Sequence, residues 1–229
     1  MFGYTTYIDL VRPLVEDKKI VSTGMRQEVD RVRRAVQAAR QGSVCALVCS
    51  GDPGIYALAG LVFEMCRENS IPLGHARDSL KIEVIPGVPA LGAGSALLGS
   101  PLMTDFACIS LSDLLTPWEA IEKRIQAAAW ADFVIVFYNP RSKKRDWQLD
   151  TARKLILEHR SPDTPVGLVT SATRDEEAVS LCTLESLDCN HVGMQTTVFI
   201  GNSKTFVYDN HMITPRGYHA KYQLEMKES

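Results

Sequence analysis

"VCALVCSGDPGIYALAGLVFEMC" runs from Val44 to Cys66. Its first six residues, Val44 to Cys49, are apolar and predict a buried strand, while Ile55 to Cys66 predict a helix. Between them stand two glycines, a proline and one carboxylate, Asp52. A strand, a sharp turn and a helix packed this closely are the repeating unit of an α/β fold. The acid at the turn has two readings. Placed before Pro53, it can cap the following helix. It can also meet a ligand, and it then suits amine or hydroxyl donors, and a cation better than an anion. The two roles are compatible, and both stay open at this point.

The same alternation extends in both directions. Glu28 to Arg40 carries Val29, Val32, Ala35, Val36 and Ala39 at helical spacing, with Gly42 as a stop. After the quoted stretch come a predicted strand at Ile82–Ile85, "PGVPA", and a small-residue helix over Leu91–Leu98. "GSPLMTD" (Gly99–Asp105) reads as a linker. A strand at Phe106–Ser110 opens the second half. Thr116, Pro117 and Glu119 predict a capping box for a helix over Trp118–Ala129. Strands at Phe133–Tyr138, Val166–Thr170, Glu177–Thr183 and Thr197–Ile200, and a helix at Gln148–His159, complete the pattern. The expected fold class is α/β in two domains, 1–104 and 105–229, joined near 99–105.

Composition narrows the function classes. The chain has 229 residues, 45% apolar and 23% charged, with a formal net charge of −2. A nucleic-acid partner would call for a basic excess that is missing. No apolar run approaches the ~20 residues needed to span a bilayer, and "MFGYTTYIDL" lacks the layout of a signal peptide. A soluble, cytoplasmic protein is therefore expected, with no nucleic-acid and no membrane partner. Cys45, Cys49, Cys66, Cys108, Cys182 and Cys189 are scattered, mostly in apolar runs. Cys45 and Cys49 are poorly placed in a strand for tetrahedral zinc, so buried reduced thiols and no metal site are expected.

The unusual residues fall at strand ends. "SGDPG", "PGVPA", "YNPRS", "TSATRD" and "GNSKT" each follow a predicted strand. Ligands of open α/β sheets bind beyond the carboxyl ends of strands, so five such loops predict a cleft lined largely by backbone. Turn chemistry explains any one loop alone, and all five together less easily. A phosphate site of Walker type is excluded, because no lysine and hydroxyl follow the glycines. "GAGSALLG" (Gly92–Gly99) lacks the dinucleotide spacing and reads better as close helix packing. There is no Gly-x-Ser-x-Gly and no His-Glu-x-x-His, and the five histidines are dispersed. "YNPRSKKR" sets Arg141, Lys143, Lys144 and Arg145 at a strand end. A solvated loop is the default reading, and a receptor for a polycarboxylate is the functional one.

Together these motifs resemble the tetrapyrrole (corrin/porphyrin) methylases. The branch most similar is the one that methylates C17 of precorrin-3B or cobalt-precorrin-3 in cobalamin biosynthesis. The resemblance runs through "GYTTYIDL", "STGMRQEV", "SGDPGIY", "VIPGVPA", "FACISLSDLLTPWE", "FYNPRSKKRDWQL", "GNSKT" and "MITPRGY", essentially the whole chain. "SGDPGIY" marks only the wider superfamily, whereas "SLSDLLTPWE" with "YNPRS" is more specific.

The resemblance implies two α/β domains, each a mixed sheet with flanking helices, and S-adenosylmethionine in the cleft between them. It implies cofactor contacts from Gly51, Asp52 and Ile55, from Pro89 and Ala90 (threonine is commoner than Pro89), and from Asn139, Ala172 and Gly201. It implies a carboxylate-fringed tetrapyrrole substrate, for which Tyr4, Arg141 and Arg145 are candidates. The expected reaction adds a methyl group at C17 and contracts the macrocycle. Ser110, Ser112 and Asp113 are candidates for the contraction step or for substrate hydrogen bonding, and no general acid or base is assigned. A homodimer is also implied. The family's first apolar strand and "GxGPG" loop, expected ahead of "GYTTY", have no match here, so a first domain incomplete at its start is expected. Two alternatives stay beside this reading. One is a non-catalytic tetrapyrrole-binding or carrier protein. The other is a methyltransferase acting on another tetrapyrrole or on RNA, although the near-neutral charge and "SLSDLLTPWE" argue against RNA.

Overall fold

A computed structural model describes residues 1–224. Contacts within it gather into two units, Met1–Pro89 and a second unit that begins at Ala90. The division therefore falls ahead of the linker expected at 99–105. The reason is the helix Ala90–Leu98, whose packing lies with the later residues. Cβ atoms at Gly94 and Gly167 would fall 2.7 Å from the Phe199 ring and 2.6 Å from Leu98. The small residues of this helix thus serve close packing, as the sequence suggests.

In chain order the first unit contains β1 (Phe2–Tyr4), α1 (Thr5–Val11), β2 (Val21–Thr23), α2 (Glu28–Arg40), β3 (Leu47–Val48) and α3 (Ala59–Glu68). Its strands form a parallel sheet in the order β2-β1-β3. Val32 and Val36 of α2, with Cys66 and Ile71, form the local core, against which Leu47 and Ile82 pack. The expected strand Val44–Cys49 is reduced to two residues, because only Phe2 and Gly3 offer it a partner. The expected strand Ile82–Ile85 is not formed. Its residues join no ladder, and Val84 and Ile85 are exposed. Strand propensity is present in both segments, but a strand exists only where a neighbour accepts its backbone. A cavity of about 830 Å³ opens near Met1, Lys18, Arg34 and Val44. It lies at the N-terminal ends of these strands, away from Gly51.

The second unit follows with α4 (Ala90–Leu98), β4 (Gly99–Ser100), β5 (Phe106–Ser110), α5 (Trp118–Trp130), β6 (Val134–Tyr138), α6 (Gln148–Leu157), β7 (Pro165–Thr170), β8 (Ala178–Thr183), β9 (Thr196–Ile200), β10 (Phe206–Tyr208) and β11 (His211–Ile213). Five strands form a mixed sheet in the order β5-β6-β9-β7-β8, and β10-β11-β4 form a smaller one. The run "VIVFY" is apolar throughout because β6 is covered on both faces. Ile135 and Phe137 point into a core with Ile121, Ile125, Leu149 and Ile156 of α5 and α6. Val136 points the other way, toward Leu98, Phe199 and Met212.

The capping box is not formed. Pro117 occupies the N-cap of α5 with no side-chain bond. The helix end is marked instead by the fixed φ of proline, −56°.

Candidate functional site

In the first unit, parallel β1 and β3 bring Tyr4 and the Gly51 turn to the same end of the sheet. Tyr4 precedes α1, stands edge-on to Tyr7 at 5.2 Å, and lies under the Arg31 guanidinium at 5.9 Å. Arg31 is buried and donates to Thr23 Oγ1 at 2.7 Å and to the Gly24 carbonyl at 2.9 Å. Burial pushes the nearby Cys49 thiol up, and Arg31 partly opposes this.

Asp52 answers the question posed by its turn. Its Oδ1 accepts from Gly54 N–H at 2.8 Å, and its Oδ2 accepts from Gly87 N–H at 3.1 Å. It does not cap a helix. The helix α3 begins at Ala59, after Leu58 with no side-chain cap. The expected helix start at Ile55 is displaced because the turn continues through Tyr56, itself at φ +50°. Asp52 instead ties the strand-end turn to "PGVPA". Gly51 sits at φ +76°, which glycine adopts without penalty. A Cβ at Gly87 would fall 2.3 Å from the Gly51 carbonyl oxygen, so only glycine lets the two backbones meet. A Cβ at Gly51 would lie 3.8 Å from the Pro89 Cα, and Ile55 N–H donates to the Asp52 carbonyl at 3.3 Å. Gly51, Asp52, Ile55 and Pro89 are thus brought together.

In the second unit the end of the sheet where β5 and β6 terminate is polar. Ser110 Oγ accepts from Asn139 Nδ2 at 3.0 Å and from Ser112 N–H at 3.2 Å. Asp113 accepts from Gln148 Nε2 at 2.9 Å. Asn139 has φ +50°. The strand β7 runs parallel to β6, since both pair antiparallel with β9, and so Ala172 lies at this end too. Ala172 stands between Ser171 (φ +49°) and Thr173 (φ +61°). A left-handed β-branched residue is a costly conformation of the kind that gathers at functional sites. Ser171 is braced by Gln195, which accepts from its Oγ at 2.9 Å. Ala90 reaches the same end, because Leu91 N–H donates to Tyr138 Oη at 2.8 Å.

Two expectations change here. Gly201 follows β9, and β9 is antiparallel to β6 and β7, so "GNSKT" lies at the opposite end of the sheet from Asn139 and Ala172. There Gly201 N–H donates to the Pro165 carbonyl, and the Gly201 carbonyl accepts from buried Arg160 at 2.9 Å. Arg160 also bonds the carbonyls of Ala129 and Phe133 and pairs with Asp132, which holds Ser203. Second, the four cations of "YNPRSKKR" are not alike. Lys143 and Lys144 are exposed, and Arg141 is half-buried with one arm on the Cys189 carbonyl and Asn190 Oδ1. Arg145 is turned inward and only 7% exposed.

Gly87, Tyr138, Gln195 and Arg160 were not singled out by the sequence reading. Gly87 lies within a loop that was, and its second role needed the fold. A lone arginine in "EHRSPD" carries no local signal at all.

The loops therefore present main-chain groups, short polar side chains and strained turns at strand ends in each unit. The chain belongs to the tetrapyrrole (corrin/porphyrin) methylases, whose family profile matches residues 3–188. Among its relatives, the cobalt-factor III methyltransferase of Priestia megaterium is 50% identical over the whole of this chain, which spans 42% of that longer protein. The probable cobalt-factor III C(17)-methyltransferase of Salmonella typhimurium is 48% identical over 94% of this chain and 87% of its own length. The crystal structure of the methyltransferase CobJ superposes with a TM-score of 0.85 at 34% identity, covering 93% of this chain and 87% of that one. No helix among the described residues is long and apolar enough to cross a membrane.

Proposed function

We propose that this chain is an S-adenosylmethionine-dependent C-methyltransferase that methylates C17 of a cobalt-containing precorrin-3-type tetrapyrrole, with ring contraction, in cobalamin biosynthesis. The observation that carries this reading is the 48% identity to a C17-methyltransferase matched over nearly the full length of both chains. The cobalt-containing form is preferred because two relatives are named for cobalt-factor III, and the cobalt would be part of the substrate. We further propose a cytoplasmic location, in keeping with the six free thiols, and a homodimer, as the family resemblance implies.

The residues present suit the cofactor. The Gly51 and Gly87 backbones, locked together by their close approach and by Asp52, fix a turn of main-chain groups and one carboxylate, which suits a ligand with amine, hydroxyl and adenine groups and no free phosphate. Gly51, Asp52, Ile55 and Pro89 are the first unit's candidates to hold it, and Ala90, Asn139 and Ala172 are the second unit's. When bound, the cofactor supplies an electrophilic methyl group on a sulfonium. The chain's own contribution is alignment, which can lower such a barrier by about 7–11 kcal/mol. Tyr4, half-buried over the strand end, and Arg141, with Lys143 and Lys144 beside it, would orient the macrocycle and its carboxylates. Ser110, Ser112 and Asp113 would face the substrate as hydrogen-bonding groups.

The deciding experiment incubates the protein with cobalt-factor III and S-adenosylmethionine carrying an isotopically labelled methyl group. Label in the macrocycle at C17 supports the proposal. Pigment that binds tightly and stays unlabelled would mark a carrier instead.

A further inference from the structure

The strand ends of β5 and β6 are joined by a closed ring of hydrogen bonds. Asn139 Nδ2 donates to Ser110 Oγ at 3.0 Å, and Ser112 N–H donates to the same oxygen at 3.2 Å. Arg145 closes the ring. Its NH2 donates to the Asn139 carbonyl at 3.0 Å, and its NH1 reaches Ser112 Oγ at 3.5 Å. Reciprocal backbone bonds between Ser142 and Arg145 fold the loop back so that Arg145 comes to lie against Asn139. Lys143 and Lys144 are left at the exposed tip.

We infer that Arg145 is a positioning residue, which holds Asn139 in its left-handed turn and ties it to Ser112, and that it acts on cofactor binding through Asn139 rather than by gripping a substrate carboxylate. This deepens the function proposed above and rests on it. Three observations support the assignment. Arg145 is buried, whereas a cation waiting for a bulky polycarboxylate would be open to it. Its shortest bond goes to the carbonyl of the residue with the unusual φ, +50°. Among the described residues no carboxylate lies within ion-pairing distance of it, so its interactions are the internal ones of the ring and a weak contact to Met194 Sδ at 3.7 Å. Burial also pushes its guanidinium down from the ordinary range, with Asp113 opposing. This cost falls on an arginine whose two terminal nitrogens are turned to the ring and to Met194, while its buried Nε has no partner.

The role makes Asn139 the meeting point of two constraints. The side chain is fixed by Ser110, and the carbonyl by Arg145. Asparagine tolerates the left-handed region, and Pro140 after it disfavours the right-handed one, but the extended region stays open to a residue before proline, and the bond from Arg145 holds Asn139 out of it. Losing the guanidinium frees the peptide after Asn139 to rotate, and the change is felt on the cofactor side and on the Ser112 side together.

The test uses the full chain with Arg145→Gln and Arg145→Lys, each with and without Asn139→Gly. S-adenosylhomocysteine is titrated calorimetrically, and amide hydrogen exchange is followed at 110–113 and 139–142. Arg145→Gln is expected to weaken binding roughly tenfold, the loss of one charge-assisted bond. Lysine should recover part of this through the Asn139 carbonyl. In the Asn139→Gly background the loss should shrink, because glycine takes a positive φ freely. Exchange should accelerate in both segments. Unchanged affinity in Arg145→Gln, with a raised KM for the tetrapyrrole and a weaker dependence on salt, would overturn the inference and make Arg145 a substrate ligand. If the unaltered protein bound no S-adenosylhomocysteine, the cofactor reading would fail. Hydrogen exchange would then decide the Arg145 question: faster exchange at 110–113 and 139–142 supports the clamp, and unchanged exchange overturns it. Should Arg145→Gln not fold, the same comparison is made with Arg145→Lys.

Discussion

Replacing Asp52 by asparagine separates the two readings of its turn. A helix cap would hardly notice the change, since asparagine caps as well as aspartate. In the structure, however, Asp52 accepts two bonds, from Gly54 N–H and from Gly87 N–H, through different oxygens. Asparagine keeps one acceptor and turns an NH2 toward the other donor. A bond to a charged group contributes about 1.5–3 kcal/mol when well shielded. These two are solvent-facing, so we expect about 1 kcal/mol for Asp52→Asn and about 1–3 kcal/mol for Asp52→Ala. In a chain of this size each kcal/mol moves Tm by about 2–4 °C. The same substitutions should weaken S-adenosylhomocysteine binding, because the Gly51 and Gly87 backbones lose their tie. Gly87→Ala attacks the junction from the other side, where its Cβ would meet the Gly51 carbonyl oxygen at 2.3 Å. Combining it with Asp52→Ala should cost less than the sum of the two, since either change alone parts the loops. Thermal melts and calorimetric titration measure both effects. An Asp52→Asn protein as stable and as tight-binding as the original would refute this account of the turn.

Two further outcomes follow from the second unit. Arg160→Lys keeps a charge beside Asp132 but gives up most of the carbonyl bonds around Gly201. It should lower Tm by several degrees while leaving S-adenosylhomocysteine affinity unchanged; a matching loss of affinity would return Gly201 to the cofactor site. Asp150 is held below the ordinary carboxylate range first by its bond from Lys154, with Arg153 adding to it. A depressed carboxylate stabilises the fold fully above its unfolded pKa of about 3.9, and the contribution vanishes as pH falls through the lower folded value. For this exposed pair it is about 0.5 kcal/mol. Melts from pH 6 down to pH 3 should therefore show Asp150→Asn about a degree below the original at pH 6, with the gap closing in acid.

Much of the second unit was legible in its sequence. Phe106–Ser110 is a strand with the bounds its pattern implies, and the strands ending at Tyr138 and Thr170 begin one residue from where the apolar runs place them. The last two are central strands with residues buried on both faces, so composition and structure agree there. The first unit was harder to read. Its strands are two or three residues long and owe their existence to partners far away in the chain, which periodicity does not contain. Ile82–Ile85 has the composition of a strand and no ladder. The site divides in the same way. The loops after β3, β6 and β7 were visible as clusters of turn residues. The position of "GNSKT" was not, because a strand's residues do not say which way it runs in the sheet. Asp52 stood out, but its partner Gly87 is 35 residues away.

The reversed direction of β9 has a consequence for the shape of the polar end of the second unit. A parallel strand between β6 and β7 would have delivered a third loop there, crowding the space between Asn139 and Ala172. What arrives instead is the exposed segment entering β9: Gln195 accepts from Ser171, and Met194 touches Arg145. Two strand spacings, roughly 10 Å between backbone centres, then separate the flanking turns. Between them stand the exposed side chains of Met194 and Gln195. A change at Gln195 would therefore reach the Ser171 turn that it braces, and a change at Met194 would reach Asn139 through Arg145.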